Sequence, residues 1–211
     1  MTVLVLASAS PARLATLRSA GVEPHVAVSS VDEDAVVARY GVSESEDVAL
    51  VLARAKAEDV AARGDLPEDS VVVGCDSVLQ LGGEVHGKPA SADEAVARWR
   101  RMRGSSGVLH TGHWLVDLRD EGTGGTLGAV ASTVVHFADL TDDEIAAYVA
   151  AGEPLRVAGA FTIDGLGGPY VRGIEGDHHG VVGLSLPLLR DLLGELDVAW
   201  HSLWSPHPGV S

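Results

Sequence analysis

The chain has 211 residues, of which 46% are hydrophobic and 21% charged, so it can bury a full core and is not a disordered chain. Fifteen basic against thirty acidic side chains leave a net charge of −15. A surface that acidic repels DNA, RNA and anionic membranes, so none of these is expected as a partner, and a phosphate ligand needs a local concentration of positive charge.

Residues 2–7, TVLVLA, form a short apolar run of the kind found in a buried strand. Ser10 suits a helix N-cap, Pro11 suits the first helical position, and Gly21 ends the helix. Residues 24–29 read as a second strand, and Val31-Asp32-Glu33-Asp34 as a solvated acidic loop. Ser45-Glu46 opens a helix that runs to about Arg63 and is closed by Gly64. Val71 to Cys75 is a buried strand, residues 78–81 resume extended structure, and Gly82-Gly83 is a hairpin turn. Ser91 and Glu94 form a capping box for a helix ending near Gly104. Residues 108–118 and 126–138 are long strands joined by the turn 120–125. A second capping box, Thr141 with Glu144, opens a helix that stops at Gly152. Residues 158–185 are glycine-rich and irregular with short strands, and Pro187 starts a last helix to about Leu196.

Helices alternating with strands, followed by a long hairpin, predict an α/β fold: a mixed sheet with flanking helices and a cleft. One domain is expected over 1–197, with a C-terminal tail over 198–211. No apolar run reaches the ~18 residues of a membrane span. The start, MTVLVLASAS, has no basic leader, so a soluble cytoplasmic protein is expected.

The chain has thirteen arginines but only two lysines, Lys56 and Lys88. Against that background a retained lysine points to its own chemistry, a compact charge on a flexible stem. Lys56 lies in LARAKA on the long helix, where Ala53 and Ala57 would leave room around it; Lys88 sits between Gly87 and Pro89. Both read as phosphate contacts. The turn from Ser8 to Arg13 leaves a strand and enters a helix. Its free N–H groups, hydroxyls and arginine make an anion site, unless it is an ordinary capped helix. Asp76 follows a strongly apolar strand. Acids at strand ends hold metals or activate water, or else bond the backbone N–H groups of a turn. His110 and His113 lie three apart on a strand and face opposite ways, and His178-His179 face apart when extended, so the histidines do not make a zinc site. Cys75, the single cysteine, excludes an internal disulfide and a Cys-rich zinc site, and reads as a buried filler.

In order along the chain stand LASASPAR (6–13), VDED (31–34), LARAKA (52–57), GCDSV (74–78), GKP (87–89), GEPLRVAGAFTIDGLGG (152–168) and IEGDHHGVVGLSLPLL (174–189). Together they resemble the Maf-like nucleotide pyrophosphatases, relatives of the inosine triphosphate pyrophosphatase fold. The resemblance implies a mixed twisted sheet with two lobes around a central cleft, and a homodimer. It implies hydrolysis of nucleoside triphosphates to the monophosphate and pyrophosphate, with non-standard nucleotides as one substrate class. It also implies a divalent cation, magnesium first and manganese second. It implies Ser8 and Arg13 as phosphate contacts, Lys56 and Lys88 as phosphate-side lysines, and Asp76 as the catalytic carboxylate. Glu33 and Asp76 would face the metal, and Asp164 the nucleotide. The sequence departs from the family where Ala12 replaces a frequent arginine, Arg156-Val157 an acidic-lysine pair, Phe161 a tyrosine and Asp164 a glutamine. These changes bear on base preference. The alternative function is a nucleotide-binding regulator of septum formation or cell division without turnover.

Overall fold

The structure, a computed structural model, describes residues 2–205. Its centre is built from valine-rich runs that are apolar on both faces. Strand β1 (Val3–Leu6) leads through a turn to helix α1 (Pro11–Ser19), whose N-cap Ser10 accepts from the Arg13 N–H. A short β2 (His25–Val26) follows, then α2 (Glu33–Tyr40), α3 (Ser45–Ala61) and the long β3 (Ser70–Leu81). Val71, Val72 and Val73 of β3 are fully buried, because helices cover the sheet on both sides. The hairpin at Gly82-Gly83 turns β3 into β4 (Glu84–His86). After α4 (Ala92–Met102) come the paired strands β5 (Ser106–Leu118) and β6 (Thr126–Phe137), then α5 (Asp142–Ala150). A glycine-rich stretch with three 3-10 turns leads to β7 (Val171–Glu175), α6 (His178–Val182) and α7 (Leu186–Glu195).

All seven strands form one sheet in the order β2-β1-β3-β5-β6-β7, with β4 also on β3. β1 runs parallel to β2 and β3, and the remaining pairs are antiparallel. The mixed α/β sheet expected from the element order is therefore present. Helix α3 covers one face, packing Ala57 and Val60 on Val5 and Val72. The opposite face carries two separate cores. One sets α1 and α7 against Val71, Val73, Cys75 and Leu115. The other sets α4 and α5 against Leu79, Leu81 and Leu109, with Trp99 at its centre. Along β3 the first core ends at Cys75 and the second begins at Leu79, so the two lobes part at Ser77.

Several elements differ from their sequence reading. β3 is one strand of twelve residues, not two pieces, and Asp76 lies inside it opposite Gly112 instead of at a strand end. The acidic run is not a solvated loop: Asp32 caps α2 by accepting from the Ala35 N–H, and Glu33 is its first residue. His178 and His179 open α6 instead of lying extended. Thr141 and Glu144 close a full capping box, whereas at α4 only Ser91 caps the helix, and Glu94 turns to the Ala90 N–H. Of the segment read as a tail, Val198 and Leu203 are buried in the α1–α7 core; residues 206–211 lie outside the described residues. Among the described residues no helix is long and apolar enough to cross a membrane.

Candidate active site

The register of β3 creates the site. On one edge it pairs with β1 as far as Val73 and with β4 from Leu79 onward. Among the described residues, 74–78 have no strand partner on that edge, while β5 runs along the other edge from Ser70 to Gln80. The gap opens a cleft of about 400 Å³ between the two lobes. Ser8, Arg13, Glu33, Lys56, Asp76, Lys88 and Asp164 all line it. The residues singled out in the sequence therefore come from six separate stretches of the chain to one cavity.

Lys56 projects from α3 to the gap, its side chain only 12% exposed. Its Nζ bonds Asp76 Oδ1 and lies 2.8 Å from Glu33 Oε1. One ammonium thus holds two carboxylates from different elements at a common point. Ala53 and Ala57 do not leave space for a ligand, as their size suggested. Both are fully buried, and the space is taken by β3, which crosses α3 at Gly74. Asp76 is 7% exposed. Burial raises its carboxyl above the ordinary aspartate range, against the opposing pull of Lys56 and Arg13. Burial also works to raise Glu33, but there the bond to Lys56 and the charges of Lys56, Lys88 and Arg13 outweigh it and hold the carboxyl low.

Arg13 is fixed by its surroundings. Its Nε donates to Gly183 O at 2.7 Å, and its two terminal nitrogens donate to Ser8 Oγ at 3.1 Å and Ser77 Oγ at 3.3 Å. Ser8 Oγ also accepts from the Ser10 N–H at 3.1 Å, which closes the turn ahead of α1. Lys88 is exposed and makes no ion pair among the described residues. Asp164 is likewise exposed, and its carboxylate takes no hydrogen bond from the turn at Gly165.

That turn is organised by Glu153, which the sequence reading did not single out. Its carboxylate accepts from Tyr148 OH, Thr162 Oγ1 and the N–H groups of Leu166 and Gly167, at 2.7–3.2 Å. Burial works to raise it, and these four bonds outweigh burial and keep it low. Its partners lie five to fourteen residues away, beyond any local spacing rule. Ser77 and Thr111 add a further link. Ser77 Oγ lies 2.9 Å from Thr111 Oγ1, which donates to Gly180 O, so they tie the cleft floor to α6.

The family signature of Maf-like proteins matches residues 3–196. The chain belongs to the Maf-like family. A protein named nucleoside triphosphate pyrophosphatase from Salinispora tropica is 56% identical over 99% of this chain and 92% of its own length. Namesakes from Streptomyces coelicolor, 56% identical over 96% of this chain and 95% of theirs, and Leifsonia xyli subsp. xyli, 52% identical over 99% of both, are similarly alike. A solved nucleoside-triphosphatase / dITP/XTP pyrophosphatase from Mycobacterium abscessus is a distant likeness, 14% identical over 93% of this chain and 96% of that one, with a TM-score of 0.41.

Proposed function

We propose that this Maf-like chain is a nucleoside triphosphate pyrophosphatase, releasing the monophosphate and pyrophosphate in the nucleotide pools of the cytoplasm. The carrying observation is the Glu33–Lys56–Asp76 junction in a cleft that also holds Arg13 and Lys88. The donor set suits magnesium, which is bound by one or two carboxylates together with substrate phosphates. Glu33 and Asp76 supply two such oxygens around a point that already accommodates a positive charge. A bound cation would neutralise phosphate charge and make an attacking water more acidic.

The chain's own groups do the rest. A triphosphate brings about four negative charges into a protein of net charge −15, so the cleft must act as a local positive island. Arg13, prefixed by three hydrogen bonds, and the exposed Lys88 meet the phosphates. Such preset charges stabilise the transition state without reorganising as it forms. Asp76 orients the attacking water in line with the leaving pyrophosphate and takes its proton; its raised pKa brings it nearer working pH than a free aspartate. Asp164, on a loop braced by Glu153, faces the nucleoside end.

Pyrophosphate release from a panel of triphosphates with magnesium tests this reading. Turnover is expected, with Asp76→Asn reducing it by at least ~10², the scale of a lost general base. Binding without turnover in the parent protein would favour the regulator instead.

A further inference from the structure

Lys88 is exposed and has no ion-pair partner among the described residues, yet the backbone that carries it is held at both ends by one helix. Arg98, on α4, donates from Nη1 to the carbonyl of Gly87 at 2.6 Å. Its Nη2 donates to Glu94 Oε1, also at 2.6 Å. Glu94 in turn accepts from the Ala90 N–H through Oε2 at 2.8 Å. The pair therefore brackets Lys88-Pro89, with one bond before the lysine and one after the proline. The Gly87 carbonyl accepts a second bond from the Gly159 N–H at 3.1 Å. From the next residue of α4, Trp99 Nε1 donates to Ala160 O at 2.8 Å.

Arg98 is costly to place there. It is 5% exposed, and its Nε finds no partner among the described residues. A buried guanidinium with an unmet donor carries a desolvation cost whatever its role. The helix beneath it is rigid, since Ala95, Trp99 and Met102 are fully buried. We infer that Glu94 and Arg98 form a positioning clip that sets the Gly87–Ala90 segment, and hence the Lys88 ammonium, at its place in the cleft. The inference rests on the reading of Lys88 as a phosphate contact. Neither clip residue lines the cleft, so neither touches substrate.

A double-mutant cycle on pyrophosphate release tests it. Arg98→Met keeps the bulk and removes the bonds; it should lower kcat/KM by about tenfold or more, as a small misplacement of a transition-state contact does. Arg98→Lys should recover only part of that, because one ammonium cannot span Gly87 and Glu94 as the fork does. In a Lys88→Ala background, adding Arg98→Met should change kcat/KM by no more than about twofold. A merely structural arginine would give losses that add, and additive losses overturn the clip. Glu94→Ala, at a half-exposed side chain, repeats the cycle and decides it if Arg98→Met does not fold. If Lys88→Ala alone matches the parent, the reading of Lys88 falls and the clip with it. If Lys88→Ala is impaired and the losses still add, the clip alone falls.

Discussion

At the residue scale, the site is a charge arrangement with one ammonium at its centre. Lys56 keeps Glu33 and Asp76 together although both are acids, and burial alone would push both towards the neutral form. Lys56→Met should therefore do more than remove a phosphate contact. It should leave two facing carboxylates, raise Asp76 further and lower kcat/KM by at least ~10², with the acid limb of the pH profile moved to higher pH. Kinetics from pH 5 to 9 would check this; an unmoved limb would separate Lys56 from Asp76. Asp164 offers a second test. A carboxylate only accepts hydrogen bonds, so at the base it favours rings presenting N–H groups, such as the cytosine N4 or guanine N1 and N2 edges. Asp164→Gln should bring UTP and dTTP closer to CTP and GTP, by about tenfold to a hundredfold in relative kcat/KM. An unchanged ranking would show that the position does not read the base.

At the element scale, the depth at which α3 sits decides where Lys56 ends. A Cβ at Gly74 would stand 2.2 Å from Ala53 O, and one at Gly112 would stand 2.3 Å from Ala49 O. These two glycines let α3 lie directly on β3 and β5. Gly112→Ala should lift the helix, cost ~1–3 kcal/mol as overpacking does, and lower kcat through the displaced ammonium. Urea unfolding beside kcat measures both, and full activity in a destabilised variant would mean that α3 can shift without moving Lys56. The long elements were legible because their signals are local: Ser10-Pro11 at α1, Thr141 with Glu144 at α5, and the hairpin glycines after β3. Helix α2 was not legible. It has an N-cap at Asp32 and a left-handed Gly41 at its end, but it is only eight residues long, none of them is buried, and Val36 and Val37 pack only partly against the core. The break read into β3 at Asp76 has the same origin. A polar residue in an apolar run looks like an end, and only the register with Gly112 shows that the strand continues. The site residues were legible as a set through lysine scarcity and the family resemblance. The roles of Glu153, Glu94 and Arg98 as braces were not, because each also holds backbone groups of a loop, which carry no side-chain signature.

At the scale of the whole molecule, both lobes hang on one sheet, and its central strands bury a titratable group. His113 on β5 is fully buried. Its Nε2 accepts from the Ser185 N–H at the start of α7, and its Nδ1 faces Thr111 O at 3.0 Å. Burial drives its pKa down from 6.5 to about 4. A histidine held neutral in the fold takes up its proton more readily in the unfolded chain. Its stabilising contribution is therefore complete above about pH 6.5 and is lost as the pH falls towards 4. Burial lowers His110 and His86 in the same direction. The net charge acts oppositely, since acidification reduces the self-repulsion of a −15 chain. From pH 7 to 5 the His113 contribution falls by roughly 2 kcal/mol, a large share of the stability of an ordinary domain. His113→Gln can keep one donor and one acceptor near the same place without titrating. It should be less stable than the parent at pH 7, yet should lose roughly 2 kcal/mol less on going to pH 5. Urea unfolding of both proteins at the two pH values measures the difference. Equal losses would mean that another group sets the acid limit of the fold.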